Sequence, residues 1–91
     1  MARFVAILTF GDLVARDGAR PEHRKYLRGL YDRGLLVESG PFLDDRGALL
    51  VFETVDESAA KALLAGDPYN DAAGALASVE LRAWNRVLPP A

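Results

Sequence analysis

The stretch Phe4-Val5-Ala6-Ile7-Leu8-Thr9-Phe10 decides the fold. Only Thr9 in it is polar, and β-branched and aromatic types dominate. A run apolar on both parities reads as a strand covered on both faces. The same property recurs from Ala48 to Thr54 (ALLVFET), apolar on both parities until Glu53. Two further segments read as weaker strands. Leu35 to Phe42 includes polar Glu38 and Ser39, and Val79, Leu81 and Ala83 alternate with Glu80, Arg82 and Trp84. Alternation of the second kind marks a half-covered strand.

Between these strands lie two helical patterns. Gly11 to Ala19, with Asp12, Asp17 and Gly18, reads as a polar loop. Pro21 then suits the first turn of a helix, where its missing N–H would have no partner anyway. Leu27, Leu30 and Tyr31 recur at helical spacing, with Arg24, Lys25, Arg28 and Asp32 on the outer face, and Gly34 stops the run. Asp44-Asp45-Arg46-Gly47 is a turn that joins the second and third strands as a hairpin. Asp56 is a good N-cap for a second helix striped by Ala59, Ala60, Leu63 and Leu64, which Gly66 and Pro68 end. Residues 70–77 read as a small-residue loop or short turn, and residues 88–91 as an exposed tail.

The order strand, helix, strand, strand, helix, strand predicts an α+β, ferredoxin-like βαββαβ sandwich spanning residues 1–91 as a single domain. Its four-stranded sheet carries two helices on one face, with the first and third strands central and parallel. The other face would expose apolar side chains from both central strands, a patch too large for a lone copy. A homodimer through that open sheet face is the expected remedy.

Composition narrows the function. Half of the 91 residues are hydrophobic, and 13 acidic against 11 basic side chains leave a net charge of −2. No basic stripe for nucleic acid is present. No stretch approaches the ~20 apolar residues of a membrane span, and the N-terminus has no signal-peptide cleavage pattern. The absence of cysteine excludes disulfides and thiolate chemistry, and the expectation is a cytoplasmic protein. One histidine and no carboxylate cluster at ligand spacing give metal binding no support, and no glycine run cradles a phosphate. Neither metal nor cofactor is expected.

That one histidine, His23, sits in Arg20-Pro21-Glu22-His23, one turn ahead of Leu27 and so on the face that turns toward the core. Forty-four residues later (67 − 23) Asp67-Pro68-Tyr69 closes the second helix. Imidazole is the side chain whose ordinary pKa straddles neutrality, and a carboxylate in reach would fix its tautomer. Each group has a plainer reading. His23 could bond a backbone carbonyl, and near a helix N-terminus it would feel the positive end of the dipole. Asp67 could simply cap local N–H groups, since Asp before Pro is a common way out of a helix.

With Arg20-Pro21-Glu22-His23, Glu38-Ser39-Gly40-Pro41 and Asp67-Pro68-Tyr69 followed by Ala73-Gly74, the chain resembles the YCII-related (YciI-like) family from Phe4 through Trp84. The loop after Tyr69 is a residue longer than the family's common form. The resemblance implies the dimeric α/β-barrel group, whose sheets pack face to face. It also implies a His–Asp pair, here His23 and Asp67, in a pocket beside the sheet. Activities described for related proteins are small-molecule eliminations and isomerisations. Substrate positioning would fall to Arg20, Ser39, Gly40 and Tyr69. Arg20 suits a carboxylate or phenolate held by two prongs, against the plainer reading of a solvated loop cation. Ser39 shares the parity of Leu35 and Val37 and so faces the sheet interior, better placed to hydrogen-bond substrate than to act as a nucleophile. The Ser39-Gly40-Pro41 step reads equally as a bulge and strand exit. Tyr69 could wall an aromatic pocket, whereas Trp84 reads as core or dimer contact.

The expected function is a lyase- or isomerase-type enzyme on small aromatic-derived or carboxylated metabolites. The alternative is a ligand-binding or accessory dimerisation module without chemistry of its own.

Overall fold

A computed structural model describes residues 1–90. Along the chain run β1 (Ala2–Phe10), α1 (Leu13–Asp32), β2 (Leu36–Pro41), β3 (Gly47–Thr54), α2 (Glu57–Ala65), a single 3-10 turn (Pro68–Asp71) and β4 (Leu76–Trp84). The strands form one sheet in the order β2-β3-β1-β4, with the two doubly apolar strands at its centre. This is the expected α+β, ferredoxin-like sandwich. One element of the expectation is corrected: β1 and β3 pair antiparallel. The crossover through α1 returns the chain so that β2 runs with β1, and the hairpin then reverses β3 between them.

The pairing sorts side chains by face. Phe4 stands opposite Phe52, Ala6 opposite Leu50 and Leu8 opposite Ala48, all buried under the helices. Leu27 and Leu30 of α1, Ala60 of α2 and Tyr69 of the 3-10 turn complete that core. On the other face, Val5 pairs with Val51 and Ile7 with Leu49. With Glu38, Arg82 and Trp84 these line a shallow depression of about 430 Å³ that no helix covers. Gly47 admits β1 closely: a Cβ there would collide with the Leu8 carbonyl.

The start of α1 is also corrected. The polar stretch after β1 is helical from Leu13, because Asp12 Oδ1 accepts from the N–H groups of Val14 (2.9 Å) and Ala15 (3.3 Å). Ala15 and Ala19 pack against the core from this added length. Pro21 therefore lies inside the helix, where it cannot donate to the Asp17 carbonyl. At the other end Gly34 (φ 77°) stops α1 as expected. Leu35 N–H donates to Leu30 C=O at 2.9 Å and Gly34 N–H to Tyr31 C=O at 3.0 Å, the paired bonds of a left-handed cap.

β2 holds a third difference. Leu36 pairs with Phe52 but Glu38 with Val51, so Val37 is an extra, unpaired residue in a β-bulge. The bulge resets the parity: Leu36, not Leu35 or Val37, shares the helix-side face with Ser39, which pairs with Leu50. Residues 88–90 of the tail are exposed, and Ala91 lies outside the described residues. Among the described residues no helix is long and apolar enough to cross a membrane.

Candidate functional site

α1 and the corner after α2 meet at one point. α2 ends at Gly66, and the Asn70 side-chain amide donates back to the Leu64 carbonyl (2.7 Å) and the Asp67 carbonyl (3.0 Å). That fold-back turns Asp67 toward α1, while its Oδ1 accepts from Tyr69 N–H at 3.0 Å. Opposite it, His23 Nδ1 lies 2.8 Å from both Asp67 oxygens. Both residues are buried, at 6% and 4% exposure. A carboxylate only accepts, so the proton of this contact sits on Nδ1. The imidazole lies flat on the Tyr69 ring, centroids 3.9 Å apart and planes 15° from parallel, and Phe10 meets Tyr69 edge-on at 5.7 Å.

His23 thus lies ten residues past the start of α1 (23 − 13), not near an N-terminus. The dipole expected to act on it fades within the first turn and does not apply.

A cavity of about 170 Å³ opens beside this pair. Of the residues singled out in the sequence, His23, Arg20, Ser39, Gly40 and Tyr69 line it, with Phe10, Arg24 and Leu27 added. Asp67 stands behind His23 rather than in the wall. Among the described residues every hydrogen bond of the imidazole runs through Nδ1, and no fully buried side-chain nitrogen or oxygen lacks a partner. Nε2 is therefore the nitrogen left to solvent or ligand. Among the described residues no group of three or more His, Asp or Glu side chains is arranged to hold a metal ion.

The rim is built by a second cluster. Arg20 Nη2 donates to Asp45 Oδ1 at 3.1 Å, and Arg16 Nη2 to Asp45 Oδ2 at 3.0 Å. Arg16 also donates from Nη1 to the Asp45 carbonyl (3.1 Å) and from Nε to Asp17 (3.0 Å), and its guanidinium covers the Phe10 ring at 4.7 Å. The Tyr69 side chain most of all, against the opposing effect of burial and with help from Asp45, holds the Arg20 guanidinium above its ordinary pKa. Arg20 first, then Arg16, holds the Asp45 carboxyl below the usual carboxylate range.

Arg16 was not among the residues singled out in the sequence, and neither was Asp45 beyond its place in a turn. Arg16 and Arg20 are four residues apart and share a helix face, a signal visible only once α1 is known to begin at Leu13.

No curated protein matches the sequence. Among solved structures, the chain is similar to 5-chloro-2-hydroxyhydroquinone dehydrochlorinase (TftG) from Burkholderia phenoliruptrix, in complex with 2,5-dihydroxybenzoquinone, with TM-score 0.75 and 22% identity over 91% of this chain and 94% of that one. It is also similar to an antibiotic biosynthesis monooxygenase (TM-score 0.61, 15% identity, 93% and 98% covered). A third likeness is to a variant of SnoaB, a cofactor-independent oxygenase from Streptomyces nogalater (TM-score 0.51, 20% identity, 97% and 96% covered). At such identities the likeness is one of fold. The sequence itself goes further: the YCII-related domain matches residues 2–85, nearly the whole of the sandwich, and the chain belongs to that family.

Proposed function

We propose that this chain is an acid–base enzyme of the lyase or isomerase type, acting on small hydroxylated aromatic or carboxylated molecules. The observation that carries this reading is that His23 lines the cavity with Nδ1 bound to buried Asp67, so that Nε2 is the ring nitrogen without a protein partner. In the proposed reaction Nε2 takes a proton from the bound substrate. Asp67 keeps the ring in the tautomer that makes Nε2 basic and stabilises the imidazolium that forms. The proton then returns to a different atom in an isomerisation, or leaves with the departing group in an elimination. Arg20 holds an anionic substituent, Ser39 and the Gly40 backbone border the same space, and Tyr69 supplies a flat aromatic wall. The fold likeness to a dehydrochlorinase holding a dihydroxybenzoquinone makes hydroxylated quinols the first substrates to try.

The test is turnover of 5-chloro-2-hydroxyhydroquinone and related polyhydroxylated or carboxylated aromatics by the native chain and by His23→Ala. Loss of a placed imidazole removes roughly 10²–10⁴ in rate. Full activity in the variant, on a substrate the native chain turns over, would sink the assignment.

A second reading is favoured by one feature: the His23–Asp67 contact ties α1 to the end of α2, so it would serve a non-catalytic binding module equally well as a brace. That reading expects His23→Ala to lower stability and leave ligand affinity intact. We also infer that the open sheet face meets a second copy, since Val5, Ile7, Leu49 and Val51 form its floor. Sedimentation at micromolar concentration should give twice the monomer mass, and a stable monomer would remove that inference.

A further inference from the structure

A second hollow, of about 420 Å³, runs between α1 and β2. Its floor is Leu27 and Leu36, both nearly buried, and its walls are Tyr31 and Val37. Arg24, Leu27 and Ser39 line both this groove and the His23 cavity, so the two spaces adjoin. The bulge at Val37 accounts for the join. It turns Ser39 into the cavity and leaves Val37 out of register at the groove's edge.

We propose that the natural ligand has two parts, a planar anionic head in the His23 cavity and an apolar arm lying in the α1–β2 groove. This rests on reading the His23 cavity as the substrate site. The head is sized by that cavity, since a space of about 150 Å³ is enough for a single benzene ring. Its charge follows from the walls: Arg20 and Arg24 line the cavity, while Asp67 is committed to His23 and Asp45 at the rim is shared between two guanidiniums, Arg16 and Arg20, so positive charge is in excess. The arm follows from the groove. A one-ring metabolite would leave that larger, adjoining space empty, and its floor and walls are mainly hydrocarbon or aromatic. Its charged lining is Arg24, Arg28 and Glu38. Arg28 donates to Asp32 at 3.1 Å and lies over the Tyr31 ring at 5.7 Å. A polypeptide in the groove would take up Arg24 and Ser39, which the cavity also uses, whereas an arm of the same ligand leaves the site complete.

Calorimetric titration of the full chain with 4-hydroxybenzoate, 4-butoxybenzoate and 4-hexyloxybenzoate tests this. Full burial of a methylene is worth roughly fourfold in affinity, and an open groove should keep about twofold of it. The hexyloxy compound should therefore bind at least about tenfold tighter than 4-hydroxybenzoate. Val37→Asp, at a position with no strand partner, should flatten the series while 4-hydroxybenzoate binds within about twofold of normal. Tyr31→Ala, on the opposite wall, should reduce the gain in the same way. A flat series in the native chain, or a gain that neither variant alters, overturns the arm and leaves the cavity reading standing. No binding of 4-hydroxybenzoate by the native chain overturns both. If the hexyloxy compound instead dissociates a dimer seen by sedimentation, the groove belongs to a second copy and the arm is refuted.

Discussion

Two carboxylates bracket the cleft, and they hold their partners in different media. Asp67 is 4% exposed and engages a single imidazole, with a backbone N–H as its other partner. Asp45 stands in the β2–β3 turn at φ 60°, its side chain half exposed, and engages two guanidiniums. Around Asp67 water cannot replace a lost partner, so the contact is sensitive to deletion and suited to directing a proton. Around Asp45 water competes throughout, so the contact is worth less and answers mainly to charge. In the proposed function the buried end carries the chemistry, and the exposed end holds the rim through charge.

The strongest way to break this contrast is at the buried end. Asp67→Ala leaves a buried imidazole nitrogen and the Tyr69 N–H unpaired, at a cost of about 2 kcal/mol, or roughly 8–16 °C in melting temperature for a domain of this size. Thermal unfolding checks it, and turnover on a confirmed substrate should fall with it. A smaller effect is expected at Tyr26, a second tie between the two helices, whose hydroxyl donates to the Leu63 carbonyl at 2.7 Å. Tyr26→Phe should cost about 1 kcal/mol. Burial first, with the Asp67 charge adding and Arg33 opposing, raises the Tyr26 pKa above 10.0. Its contribution is therefore whole below the ordinary tyrosine value and lost as pH climbs through the raised one. Urea melts in alkali should show that limb in the native chain and not in Tyr26→Phe.

The smallest effect at neutral pH belongs to Asp45→Asn, and its signature is acid. Because the folded carboxyl titrates below its ordinary range, its stabilisation is present above that range and disappears as pH falls through the lowered value. The stability difference between native chain and variant should close as the solution is acidified. A difference that persists at the lowest pH would show that the contact acts through shape rather than charge.

Central placement of β1 and β3 was legible because burial on both faces leaves no polar parity, and the end of α1 was legible because Gly34 alone suits φ 77° there. The beginning of α1 was not, because Gly18 and Pro21 break the helical pattern while the tertiary contacts of Ala15, Arg16 and Ala19 override it. That single miss hid the Arg16–Asp45–Arg20 cluster and put His23 at a helix end it does not occupy. Strand direction was misjudged because apolar pattern carries no sense of direction; the hairpin between β2 and β3 does. At the site, His23 was conspicuous as the one imidazole, but nothing in its own neighbourhood names Asp67. The pairing rested on family resemblance, since closure across 44 residues is a property of the fold. Ser39 reached the expected face by a route parity could not anticipate, the bulge at Val37.

Trp84 is the sole tryptophan, and it stands on the uncovered side of the sheet at 45% exposure. The chain thus carries a native fluorophore where a second copy would sit. Its emission maximum and its quenching by acrylamide should follow dilution, reporting assembly without a label.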